Sequence, residues 1–195
     1  MPTYEKASVA WFFSTKNRRF ALSNMASHMP IYWPLKRCEA HRWESSEHLY
    51  QAAKYDSSAR HPLKSDPLAE PHVRKRIKAA PTPLAAKWTQ KGAYKAGLFR
   101  SDWEAPEEVR LKAMRWVLEL KLFHNPFLFG KELLATGHRP IVEISSNSTF
   151  WGCKEDKQGL LRGDNHLGRL LMEVRRDYDR IRNGHFTYPD GFLLP

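Results

Sequence analysis

The chain has 195 residues, 42% of them hydrophobic and 12% aromatic, which suits one domain with a sizeable core and excludes a disordered chain. No apolar run approaches the roughly 20 residues of a membrane span, and the stretch 7–13 carries its positive charges behind it, so neither a membrane helix nor a secretory signal is expected. With 32 basic against 21 acidic residues the formal charge is +11, which favours anionic partners: nucleic acid, nucleotides or phosphorylated sugars.

In chain order, residues 7–13 and 29–33 are rich in aromatics, are bounded by polar turns and read as short strands. A first helix starts near Ser45 or Ser46, either of which can cap it, and ends near Tyr55–Ser58. Residues 60–72 carry three prolines and read as a loop. A basic helix follows over Val73–Ala79, its Arg74–Lys78 run suited to a solvated face, and Leu84–Lys91 can form another before Gly92. Val109, Ala113, Trp116, Val117 and Leu120 recur at helical spacing in a core helix from about Pro106 to Phe123, ended by Asn125-Pro126. Phe127–Ala135 is a shorter helix closed by Gly137, Ile141–Ile144 a strand, and 152–164 a glycine-containing loop. A last helix runs from about Asn165 to Arg182 with its Arg/Asp-rich face in water. These elements make an α+β fold: a single compact, mostly helical domain over 1–182 with a few short strands, and a tail over 183–195.

Cys38 and Cys153 stand in no metal or redox spacing, and the nine histidines form no tight ligand pattern, so neither a disulfide framework nor a metal site is expected. Two lone thiols suit a reducing, intracellular compartment, the cytoplasm or, in a eukaryote, the nucleus.

The segment Trp43–Lys54 is where chemistry concentrates. On a helix, Leu49, Ala52 and Ala53 fall within about 100° and suit close packing, while Glu47, Gln51 and Lys54 fall within about 60° on the other side, with Tyr50 at their border. Glu47 sits in the first turn, and Lys54 is long enough to reach back toward it. In a cleft such a pair is an acid/base and an amine nucleophile; on an open surface it is a solvated stripe. Trp151, in Phe150-Trp151-Gly152, can stack on a flat heterocycle or pack in the core. Arg18-Arg19 before Ser23-Asn24 suits phosphate or ribose, and Gly163–Gly168 offers either helix N–H groups to a phosphate or an ordinary cap at Asp164 or Asn165.

Seven segments together resemble the NADAR superfamily, in the family's order over roughly residues 12–176: Phe20–Asn24, Trp43–Lys54, Arg100–Trp103, Asn125-Pro126, Leu133–Gly137, Phe150–Gly152 and Asn165–Met172. The resemblance implies an N-glycosidase. Some relatives resemble enzymes of riboflavin-pathway intermediates, and others resemble enzymes that remove ADP-ribose from the amino group of guanine in nucleic acid. It implies Lys54 as the nucleophile on the ribose anomeric carbon, through an imine with the opened sugar, and Glu47 as the acid/base. Trp151 and Gly152 would belong to the ring-binding wall, with Ser23, Asn24, Arg19, Tyr50, Gln51 and Asn165 as further substrate contacts. No cofactor or metal is implied. Several relatives carry acids beside the Trp-Gly unit, where this chain has Ser148 and Cys153. The leading expectation is ADP-ribosylated guanine in DNA or RNA, since +11 suits a polyanion. The alternatives are phosphorylated riboflavin intermediates or a non-catalytic ADP-ribose or nucleic-acid binding module.

Overall fold

The computed structural model describes residues 1–13, 19–35, 37–56, 72–89, 93, 95, 97–103 and 108–187. The expected loop over 60–71, Arg18, Ser58, the residues after Thr89 that would close the third helix, Pro106 and the tail beyond Thr187 lie outside them.

One helix organises the rest. α4 (Glu108–His124) buries Ala113–Leu122 without interruption, so it is wrapped on all sides instead of showing one apolar stripe. It packs against α1 (Ser46–Ala52), α6 (His166–Arg176), α7 (Tyr178–Arg182) and β3 (Ile31–Tyr32). Trp116, Val117, Leu118 and Leu120 are fully buried at its centre. Two short helices, α2 (Val73–Lys78) and α3 (Pro83–Thr89), pack on α1 from the other side.

The strands are short and split into three small sheets. β2 (Ala10–Phe13) runs parallel to β5 (Ile141–Ile144), with Phe12 opposite Glu143. β1 (Thr3–Glu5) and β6 (Lys154–Glu155) flank β7 (Leu160–Arg162) in an antiparallel trio, and β3 pairs with β4 (Arg42–Trp43). The result is a mostly helical α+β fold with a few short strands. Among the described residues no helix is long and apolar enough to cross a membrane.

Several expected elements change in detail. Only Ala10–Phe13 of the stretch 7–13 is strand, because Lys6–Ser8 form a 3-10 turn, and 29–33 shrinks to Ile31–Tyr32. The loop expected over 152–164 holds β6 and β7, closed by Gly159 at φ +79° with the Asp156 carboxylate accepting from the Gln158 and Leu160 N–H groups. Residues 126–134 are a π-turn (Pro126–Gly130) followed by one turn of α5 (Lys131–Leu134). The last helix breaks at Asp177, whose carboxylate takes the Arg115 guanidinium at 2.8 Å. Its charged face is therefore not simply solvated. Arg175 also bonds the Thr136 hydroxyl at 2.6 Å and the Arg139 carbonyl at 3.0 Å. In the basic helix α2, Arg74 is buried and not on a solvated face, and burial draws its guanidinium down to about 10.

Candidate active site

α1 begins as its residues dictate. Ser45, in extended backbone, accepts the His48 N–H, a side-chain cap of the helix start. His48 then locks the corner. Its Nε2–H donates to the Ala80 carbonyl at 3.0 Å, which leaves Nδ1 to accept from the Ser45 hydroxyl at 2.8 Å. Burial pushes this imidazole down, so the neutral ring fits both bonds. The apolar side of α1, Leu49, Ala52 and Ala53, is buried in the core.

The helix stops at Ala52, earlier than expected. Lys54 lies in the turn that follows, where its N–H reaches the Gln51 carbonyl at 3.4 Å and its carbonyl accepts the Arg100 N–H at 3.0 Å. Its ammonium still points back along the helix, 5.3 Å from the Tyr50 ring centre and 6.0 Å from that of Phe99.

The polar stripe faces a cleft of about 260 Å³, not open water. The cleft is lined by Ser23–Met25, by Glu47, Tyr50, Gln51 and Lys54 of α1 and the turn after it, and by Ser145–Ser148 with Trp151. Lys87, Met114 and Leu167 line it as well. Trp151 meets Tyr50 edge-on at 5.7 Å and Phe150 at 4.9 Å, so its indole is braced from two sides while it lines the cleft.

Charges in this cleft are mostly unpaired. Glu47 Oε1 accepts from Gln51 Nε2 at 2.7 Å. Among the described residues the Lys54 ammonium has no hydrogen bond or ion pair, and burial draws it down to about 8. Glu47 opposes that shift, while Lys87 and Arg110 add to it. An amine that sheds its proton near neutrality is a usable nucleophile. Burial pushes the Tyr50 phenol up and keeps it neutral. Among the described residues Asn24 Oδ1 and Gln51 Oε1 are buried acceptors without a hydrogen-bond partner.

Seven expected residues therefore converge on the cleft: Glu47, Lys54, Ser23, Asn24, Tyr50, Gln51 and Trp151. Three others do not line it. Arg19 donates to the Trp11 carbonyl at 3.2 Å and lies 3.7 Å from Glu132. Asn165 is fully buried, donating to the Ile141 carbonyl at 2.8 Å and accepting the Glu143 N–H at 3.3 Å, so its amide clasps α6 to β5. Gly152 packs on the same strand, where a Cβ would stand 2.6 Å from the Glu143 carbonyl oxygen and 3.1 Å from Glu143 Oε2. Its smallness makes room for that carboxyl.

Glu143 is the residue that sequence reading missed. It is 8% exposed, lines the cleft and has no partner for its carboxyl among the described residues. Burial, reinforced by Glu47, pushes it up to about 7. Its signal was visible: one acid inside an otherwise apolar strand, Ile-Val-Glu-Ile. Among the described residues no cluster of three or more His, Cys, Asp or Glu side chains could hold a metal ion, and Cys38 and Cys153 are free thiols.

A profile of the family described as "NADAR domain" matches residues 11–179. The N-glycosidase YbiA of Escherichia coli (strain K12) is 30% identical over 164 residues, 84% of this chain and 84% of that protein. A Zea mays protein named "Riboflavin biosynthesis protein PYRR, chloroplastic" is 31% identical over 176 residues, 88% of this chain but 25% of that longer protein. The NMR structure of E. coli YbiA aligns with a TM-score of 0.63 at 27% identity, covering 93% of this chain and 90% of that one.

Proposed function

The chain belongs to the NADAR domain family and, with its N-glycosidase relatives, is a hydrolase of N-glycosidic bonds; on that premise we propose that it removes ADP-ribose from the amino group of guanine in nucleic acid through an imine on Lys54. The observation that carries this reading is the convergence of Lys54 and Glu47 in one cleft, with burial holding the amine near neutrality.

The bonds follow in order. The Lys54 lone pair attacks the ribose C1′ as the C1′–N bond to the guanine amine breaks and the amine leaves with a proton. Glu47 takes a proton from the Lys54 nitrogen and hands it to O4′ as the ring C1′–O4′ bond opens and C1′=N forms. Water adds to C1′ and gives a proton to Glu47, which passes it to the Lys54 nitrogen. The C1′–N bond to Lys54 then breaks as the new hydroxyl returns its proton to Glu47, and O4′ closes the ring on the aldehyde so formed. Asn24 and Gln51 offer acceptors to the sugar hydroxyls, and Trp151 a wall for a flat ring. The +11 charge supports a polyanionic substrate.

A second reading, cleavage of phosphorylated riboflavin-pathway intermediates, is favoured by the name of the maize relative. Both substrates join a phosphorylated ribose to an amine-bearing heterocycle, so one cleft chemistry serves either. Incubation with an ADP-ribosylated-guanine oligonucleotide and, separately, with a phosphorylated ribosylaminopyrimidine decides between them. Borohydride added during turnover should leave a stable adduct on Lys54. Turnover of the pyrimidine alone moves the assignment to the second reading, and an adduct on any other residue sinks the imine.

A further inference from the structure

We propose that Glu143 is a second catalytic carboxyl of this cleft, the acid that gives its proton to the departing amine. The inference deepens the N-glycosidase reading and rests on it. An amine bound to C1′ is a poor leaving group as an anion, so its nitrogen must gain a proton as the C1′–N bond breaks. The proton that the Lys54 nitrogen sheds after bonding to C1′ is the one Glu47 passes to O4′, so the leaving nitrogen needs another donor.

Among the described residues two carboxyls line the cleft, and their surroundings differ. Glu47 already receives a hydrogen bond from Gln51 at 2.7 Å. The Glu143 carboxyl receives none from the described residues, although it is nine-tenths buried. A buried carboxyl with no donor and a second carboxylate beside it holds its proton. Such a pair divides the labour: Glu143 carries the proton for the leaving nitrogen, and Glu47 handles the ring oxygen and the water.

The strand presents Glu143 rigidly. Its N–H is held by Asn165 Oδ1 at 3.3 Å, and its carbonyl takes the Cys153 N–H at 2.7 Å. Gly152 leaves the space that the carboxyl fills. The backbone is therefore fixed on both sides and the side chain turns into the cleft. The titratable groups around it are Glu47 and Lys54 on α1 and its turn, Lys87 on α3 and the Cys153 thiol.

In the balanced step, the Glu143 O–H bond breaks and an N–H bond forms on the departing amine, while the C1′–N electron pair goes to that nitrogen. Glu143 is left as a carboxylate and regains its proton from solvent after the product amine leaves. No oxidant or further reactant is needed.

The test compares two leaving groups. On an amine-linked substrate, Glu143→Gln should lower kcat by about 100- to 10,000-fold, the range of a lost general acid. On a ribofuranosyl 5-phosphate carrying 4-nitrophenolate, which departs without a proton, the same variant should lose less than about tenfold. Equal losses on both substrates, or no loss on the amine, would overturn the assignment. If Glu143→Gln does not fold, the wild-type profile still decides. Lys54 serves both substrates, so the ratio of amine to nitrophenyl kcat/KM should fall as pH climbs through 7, and parallel profiles overturn the role. Wild-type protein that cuts neither substrate and traps no Lys54 adduct removes the underlying N-glycosidase reading, a result distinct from either.

Discussion

Two clusters of buried charge flank α4, and they are built on opposite terms. On one side Glu119 is fully buried and saturated. Arg115 and Arg180 each reach it at 2.9 Å, and the Thr187 N–H and hydroxyl add bonds at 2.6 and 3.2 Å. Arg115 spends its other nitrogens on Glu173 at 3.0 Å and Asp177 at 2.8 Å, so one guanidinium ties α4, α6 and the Asp177 break together. In the cleft, Glu143 and Lys54 are buried or half-buried with no salt-bridge partner among the described residues. Desolvation is offset by hydrogen bonds in the first cluster and by shifted protonation in the second. A paired buried charge holds the fold, whereas an unpaired one is available for chemistry.

Substitutions in the two clusters should therefore fail in different assays. The largest expected effect is on chemistry: Lys54→Ala should cut kcat by about 10,000-fold, some 5 kcal/mol, and abolish the borohydride adduct seen by intact-mass measurement. Full activity in that variant would end the nucleophile assignment. Next is Glu119→Ala, which removes the buried acceptor that Arg115, Arg180 and Thr187 share. It should destabilise the protein by about 3–5 kcal/mol in urea denaturation while leaving kcat per folded molecule unchanged. A stable Glu119→Ala protein would mean the saturated cluster is not what holds the last helix.

Glu47→Gln should behave in the converse way. We expect kcat to fall about 100- to 1,000-fold with substrate still bound, and the melting temperature to stay within about 2 °C, because among the described residues the Glu47 carboxylate bonds only Gln51 on its own helix. A large loss of stability there would erase the contrast between the clusters.

The smallest effect concerns Lys121, fully buried beneath the cleft wall, where its ammonium donates to the Ser23 carbonyl at 2.7 Å. Burial draws it down to about 7. The folded state thus binds fewer protons than the unfolded state between pH 7 and the ordinary lysine range, so this group makes stability rise with pH. Wild type should gain roughly 2 kcal/mol from Lys121 between pH 7 and 9, and Lys121→Met should flatten that rise in paired denaturation curves. Identical slopes would show that the ammonium is not desolvated.

Much of the cleft was legible because its information is local. Ser45 at the cap and Glu47, Gln51 and Lys54 at helical spacing are readable from about ten residues, and so is the apolar repeat of α4. Lys54 reaches the cleft even though the helix ends before it, since the turn that follows keeps the chain winding the same way. The short strands were harder to read. Two or three residues show no alternation, and β1, β6 and β7 exist only because partners lie beside them.

The sequence by itself determined the chemistry on offer: an acid, an amide and an amine along one stripe of α1, in a basic chain with an aromatic at a loop mouth. Tertiary structure decided which groups face one another. It took Asn165 out of the site, because its amide satisfies backbone of a strand more than 20 residues away. It brought Glu143 in, because pairing with β2 and the close approach of Gly152 turn that one acid toward α1. It also decided protonation. Burial, not residue type, holds the amine and the carboxyl near neutrality, and burial depends on segments far apart in the chain.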